Sequence, residues 1–241
     1  MLKYLNLVFF VLMIVMNYLA NALPINNKTT GALSDALPNL FVPAGLTFSI
    51  WGIIYLLLAA FCVIQFKSTN HEVVEKTGWL FAASCLLNAL WIVAWHYQKL
   101  PLSLLIMAGM LISLIYINLL IRELPFGIIK AAFGVYLGWI CIAAIANVTA
   151  LLVRYQWNGF GISEQAWTII MISTGTLIVS LTLMRMQNPF IGLSVIWAFL
   201  GIYIKRHSDY STIAIAAIAA MAVVTVITVM AFFRKKIGFL S

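Results

Sequence analysis

Charge is scarce in this 241-residue chain, and acid is scarcest. Asp and Glu number six against fourteen Lys and Arg, and charged residues make up 8% of the total. The acids Asp35, Glu72, Glu75, Glu123, Glu164 and Asp209 all map to loops or to the edges of apolar runs. Carriers driven by protons or ions place an ionisable partner within the membrane. The distribution therefore argues against a pump or ion-coupled carrier, while passive movement of a neutral lipophile stays open. Cysteine is as sparse: Cys62, Cys85 and Cys141 are odd in number and lie inside apolar segments. They read as buried small hydrophobes rather than disulfides or metal ligands. His71, His96 and His207 sit at run ends or in loops without ligand-type spacing, so no metal site is expected. Nucleotide-binding glycine loops and nucleophile–base pairs are missing too, so no residue set here points to catalysis. The formal charge of +8 arises from basic residues scattered singly between apolar runs, and nucleic acid is not an expected partner.

What fills the chain is hydrophobic: 64% of residues, with a mean hydropathy of +1.08. This composition predicts an all-α, polytopic bundle in a lipid bilayer. About eight spans of roughly 20 residues fit, near 4–22, 44–66, 78–97, 101–121, 130–153, 165–184, 189–205 and 211–233. The connections after the third and sixth are very short and force antiparallel neighbours. Lys3 before the first apolar run imitates a signal peptide, but Asn17, Tyr18 and Asn21 replace a small-residue cleavage site, and the segment reads as a span. Amino end and alternate loops carry Lys3, Lys67, Lys76, Arg122, Lys130, Arg185, Arg234, Lys235 and Lys236, against Lys28, Lys99, Arg154, Lys205 and Arg206 opposite. The excess places both termini in the cytoplasm, and a prokaryotic plasma membrane is the expected location.

The 23–43 connection is the one sizeable loop. Pro24, Gly31, Pro38, Asn39, Pro43 and Gly45 favour turns over helix. It reads either as a lid over a pocket or as a solvated connector. Asn27-Lys28-Thr29 is a glycosylation sequon by pattern alone. The charged 67–77 stretch suits a cytoplasmic turn. The 211–233 run, rich in alanine, isoleucine and valine, suggests a packing helix, and Arg234-Lys235-Lys236 a cytoplasmic anchor.

Three apolar stretches carry tryptophan with asparagine or tyrosine at helical spacing. They are Phe48-Ser-Ile-Trp51-Gly-Ile-Ile-Tyr55, Asn88-Ala-Leu-Trp91-Ile-Val-Ala-Trp95 and Tyr136-Leu-Gly-Trp139-Ile-Cys-Ile-Ala143-Ala-Ile-Ala-Asn147. Each set falls on one side of its helix. Asparagine in lipid lacks partners, so these faces should turn toward other helices or a cavity. Trp51 and Trp139 suit stacking on a flat ligand. Asn88 and Asn147 either hold ligand polar groups or join helices. Trp95, with His96 and Tyr97 near the membrane edge, fits an aromatic belt, as do Trp79, Trp157 and Trp167.

In these three stretches the chain resembles the tryptophan-rich sensory protein family, also called the translocator protein or peripheral-type benzodiazepine receptor family. Pro43, Phe48, Trp51 and Tyr55 match its second-helix pattern; Asn88, Trp91 and Trp95 match the third; Tyr136, Trp139, Ala143 and Asn147 match the fifth. The long loop after helix one also agrees. The resemblance implies a five-helix bundle over 1–155 whose pocket opens toward that loop. It implies binding of porphyrins or sterol-like lipophiles, often as a homodimer, and in some bacterial members light-dependent porphyrin breakdown. Ligand-binding positions carried over are Phe48, Trp51, Tyr55, Asn88, Trp91, Tyr136, Trp139, Ala143 and Asn147, with Pro43 in the lid. Ser49 stands where the family has proline, and Ile142 where it has phenylalanine. Residues 156–241 add three further spans.

The expected function is thus a membrane receptor or binding protein for a porphyrin-like or sterol-like planar lipophile, with a transport or sensory role. Alternatives are tryptophan-mediated porphyrin photodegradation, and a small-molecule transporter or membrane scaffold. Catalytic residues are not assigned, and porphyrin enters as ligand rather than cofactor.

Overall fold

The computed structural model describes residues 1–22 and 25–237, with side chains through Phe233; the Arg234-Lys235-Lys236 side chains of the expected anchor and Pro24 of the loop lie outside the described residues. Among the described residues, nine α-helices run Leu2–Ala22 (α1), Thr30–Asp35 (α2), Ile50–Ile64 (α3), His71–His96 (α4), Leu100–Leu120 (α5), Ile128–Arg154 (α6), Glu164–Met186 (α7), Phe190–Arg206 (α8) and Ser211–Ile237 (α9). Seven segments are long and apolar enough to cross a membrane. They make the protein an integral membrane helical bundle. The remaining expected span is α8, whose 17 residues reach about 25 Å at 1.5 Å per residue, at the short end of the range for a crossing; it runs from the turn at Asn188 beside Lys130 to Arg206 beside Asn39.

The helices form a ring and an appendage. Around the ring, α1 packs on α4, α4 on α5, α5 on α6, α6 on α3, and α3 back on α1. Helix α8 lies against the outer side of α6, and α9 packs on both α8 and α7. Phe133, Tyr136, Leu137 and Ile140 of α6 are completely buried as a result. The α6–α8 approach requires glycine: a Cβ on Gly138 would overlap the Ile191 carbonyl and the Ser194 hydroxyl.

Several polar side chains inside the bundle find partners across helices, as a medium without water favours. Asn6 of α1 donates to Gln65 at the end of α3, 3.0 Å. Asn188 donates to Asn118 Oδ1 at 2.8 Å and to the Lys130 carbonyl at 2.9 Å, tying α5, α6 and the turn into α8. Lys130, counted from sequence as a loop cation, sits buried on α6, its ammonium donating to the carbonyls of Arg122 and Gln187 at 2.6 and 3.0 Å. Those carbonyls lie just past the C-terminal ends of α5 and α7, where the helix dipole favours a cation.

Two boundaries differ from expectation. The charged 67–77 stretch is mostly helix: α4 starts at His71, and the Glu72–Lys76 and His71–Glu75 pairs at i,i+4 support its first turns. The 23–43 loop is also not all turn. Thr29 Oγ1 accepts from the Ala32 amide at 3.2 Å and caps α2, so the sequon threonine has a structural use. Leu33, Phe41 and Val42 are buried beneath it. At the head of α3, where the family proline is absent, Gly45–Ser49 winds as a 3₁₀ turn before Ile50.

Candidate functional site

The tryptophan-bearing faces of α3, α4 and α6 do converge. Trp51 stacks on Tyr55 (5.6 Å between ring centres, 25°) and meets Tyr136 and Trp139 edge-on at 6.0 and 6.2 Å. Phe48 meets Trp139 edge-on at 5.9 Å. Trp91 and Trp95, one helical turn apart on α4, stack at 5.5 Å and 20°.

Between these rings lies a cavity of about 70 Å³, lined by Phe48, Trp51, Trp91, Trp139, Ala143 and Asn147, with Pro43 in its roof. All seven are positions carried over by the resemblance. A wider hollow of about 570 Å³ adjoins it, reached by Tyr55, Asn17 and Tyr18; Thr30, Pro43, Phe48, Trp51 and Trp91 stand between the two.

Two carried-over residues line neither hollow. Asn88 and Tyr136 are fully buried beneath the cavity wall. Asn17 of α1 donates to Asn88 Oδ1 at 2.7 Å, and Asn88 donates to the Tyr136 hydroxyl at 3.1 Å. That hydroxyl in turn approaches Met110 Sδ of α5 at 3.1 Å. Four helices meet in this chain, so both residues join helices below the site. Asn147 lines the cavity and also joins two helices, its Oδ1 accepting from Ser103 of α5 at 2.9 Å.

The belt expected at Trp95 gives way to burial. Trp95 is a cavity wall whose N–H approaches the Thr30 carbonyl at 3.4 Å. His96, read as a span-end residue, is fully buried and pins the loop, with Nδ1 3.0 Å from the Ile25 carbonyl and Nε2 3.0 Å from the Thr30 hydroxyl. A carbonyl only accepts, so Nδ1 donates in its contact with Ile25. Trp79 is exposed in keeping with a belt, whereas Trp157 and Trp167 pack together at 4.9 Å.

Sequence reasoning missed the upper part of the site. Thr30, Ser34, Asn39 and Val42 come from the loop, and Ala146 and Ala150 from α6. The alanines were detectable: Ala143, Ala146 and Ala150 form a small-residue stripe at i, i+3, i+7. The loop residues carried no such period.

The loop is held from outside the ring. Helix α8 offers the Gly201 carbonyl to the Ala44 amide at 3.0 Å, and the Trp197 N–H to the Thr47 carbonyl at 2.9 Å. Arg206 donates to the carbonyls of Asn39 and Leu40 at 2.8 and 3.1 Å. A Cβ on Gly201 would run into Thr47 and Pro43, so glycine lets this segment lie flat on α8.

A family model described as TSPO-like protein matches residues 3–230. The chain belongs to the TSPO-like family. The match runs through all three C-terminal helices into α9, so in this TSPO-like protein the added helices lie within the family region. Searches of curated proteins and of solved structures returned no match.

Two electrostatic facts complete the TSPO-like site. Among the described residues, the buried indole N–H groups of Trp91 and Trp139 have no hydrogen-bond partner, and both rings line the 70 Å³ cavity. A buried donor without an acceptor costs about 1–3 kcal/mol. The rest of the wall is mostly apolar, aromatic and small, with Thr30, Ser34, Asn39 and Asn147 as its polar members.

Proposed function

We propose that the chain is an integral membrane binding protein for a planar lipophile of the porphyrin or sterol kind, held between α3, α4 and α6 beneath the 39–47 segment. The observation that carries this reading is the pair of unpartnered indole donors, Trp91 and Trp139, on the wall of one aromatic cavity. A flat ligand with carbonyl, carboxylate or ring-nitrogen acceptors meets both needs at once: apolar faces for Phe48, Trp51 and the Ala143 stripe, acceptors for the two N–H groups.

Ligand pockets ordinarily run to about 300–1,000 Å³, so a tetrapyrrole needs more room than the 70 Å³ cavity supplies. The neighbouring 570 Å³ hollow supplies it once the Pro43 and Phe48 segment moves aside. Ligand-binding roles are thus assigned to Phe48, Trp51, Tyr55, Trp91, Trp139, Ala143 and Asn147, and lid roles to Pro43 and Asn39. Asn88 and Tyr136 support the floor. On this reading residues 1–155 carry the site and 156–241 brace its lid. The charge asymmetry supports cytoplasmic termini and a lid on the outer face, in a prokaryotic plasma membrane. The exposed flanks of α1 and α3 leave room for a homodimer.

Titration of the purified protein with protoporphyrin, followed by tryptophan fluorescence, tests the assignment. Saturable quenching is expected, and Trp91→Phe and Trp139→Phe should each weaken it about tenfold, the value of one hydrogen bond. Unsaturable quenching, or affinities unchanged in both variants, would overturn the reading.

A further inference from the structure

A second hollow opens where the C-terminal helices meet the 38–41 segment. Its apolar part, about 260 Å³, lies between the end of α6 and the start of α7, lined by Phe41, Leu152, Val153, Trp157, Trp167 and Met171. The Trp167 N–H is engaged by the Gly159 carbonyl at 2.7 Å, which fixes that indole as a wall against Trp157. A polar part of about 470 Å³ adjoins, lined by Asp35, Glu164, Lys205, Arg206 and Tyr210. Pro38, Asn39, Leu40 and Glu164 border both parts, making one amphipathic hollow.

Charges of both signs stand in the polar half, and they are poorly matched to each other. Arg206 spends two of its five N–H donors on the carbonyls of Leu40 and Asn39. Among the described residues, neither Arg206 nor Glu164 has an ion-pair partner within 4 Å, and Lys205 pairs with Asp35 only loosely at 3.6 Å. Glu164 is exposed at the mouth. A guanidinium with free donors suits phosphate, while a carboxylate at the same mouth repels a purely anionic head group and suits an ammonium. The apolar half, walled by two indoles and Met171, suits an acyl chain. The exposed Tyr155, Phe160 and Ile162 nearby give this end an apolar rim suited to the lipid boundary.

We propose that this hollow binds one zwitterionic phospholipid with a primary-ammonium head group: phosphate toward Arg206 and Lys205, ammonium toward Glu164, and the start of an acyl chain against Trp157, Trp167 and Met171. The apolar half shares only Asn39 with the tryptophan cavity, and the polar half shares Ser34, Asn39 and Val42; Met171, Leu152 and Glu164 lie outside that cavity, so substitutions there separate the two sites.

Native mass spectrometry of the full chain in non-ionic detergent, titrated with dioleoyl phosphatidylethanolamine or dioleoyl phosphatidylcholine, tests it. One ethanolamine lipid should be retained in preference to the choline lipid, whose methylated head cannot donate to Glu164. Met171→Trp, which fills the apolar half, should weaken retention about tenfold, and Glu164→Gln about fivefold for the ethanolamine lipid alone. Protoporphyrin quenching should persist in both variants, and circular dichroism reports their fold. If Met171→Trp misfolds, Leu152→Trp fills the same half and carries the same expectation. Equal retention of the two lipids, or retention unchanged by the variants, means annular lipid only and overturns the proposal.

Discussion

The Trp197 indole donates to the Thr47 carbonyl at 2.9 Å, joining a helix beyond the five-helix ring to the turn that leads into α3. One residue further along that turn is Phe48, and a helical turn beyond is Trp51, so the bond positions the mouth of the cavity. Gly201, one turn below Trp197 on α8, lies where any side chain would meet Thr47 and Pro43.

Loosening this contact should speed ligand exchange more than it changes the fold. Trp197→Phe keeps the ring and removes one hydrogen bond, about 1 kcal/mol. Gly201→Val forces the lid away altogether. Stopped-flow tryptophan quenching with protoporphyrin is expected to give faster association and release in Trp197→Phe, and a larger effect in Gly201→Val. Rates identical to wild type in both would mean that the lid does not gate entry.

The small wall of α6 predicts a selective loss. Ala143→Leu places three extra carbons in a cavity of about 70 Å³. Porphyrin affinity should fall at least about tenfold, while burial of added apolar atoms keeps stability within about 1.5 kcal/mol of wild type. A thermal midpoint near wild type combined with lost quenching is the expected pair of readings. Undiminished quenching would place the ligand elsewhere.

Asn88 should behave in the opposite way. Asn88→Ala strips Asn17 of an acceptor and the Tyr136 hydroxyl of a donor at a fully buried junction of four helices. The cost is about 1–3 kcal/mol, read as a lower thermal midpoint in detergent. Porphyrin affinity should change much less than in Trp139→Phe, because Asn88 lies below the wall. An affinity loss equal to that of Trp139→Phe, at unchanged stability, would make Asn88 a ligand residue instead.

Much of this organisation was legible along the chain, and the reason is the bilayer. A membrane helix must satisfy its own backbone and show an apolar surface, so α1, α5, α6 and α7 fall within two residues of the expected spans. The three tryptophan faces were legible for a related reason: residues spaced at three, four and seven share a side wherever the helix sits. The early start of α4 escaped notice because its first turns extend beyond the apolar run, stabilised by i,i+4 charge pairs rather than by hydropathy.

Residue types and their spacing determined which side chains share a helix face, that asparagine would need partners, and that the chain belongs in lipid. They did not determine which face meets which. Trp95 became a cavity wall, and Asn88 a buried joint, only once α4 took its place between α1 and α5. The 39–47 segment has no period of its own; its conformation comes from carbonyls met by Arg206 and Trp197, some 150 residues further along the chain. Hydrogen bonds between segments so distant leave no local pattern, because each partner alone is an ordinary tryptophan or arginine near a helix end.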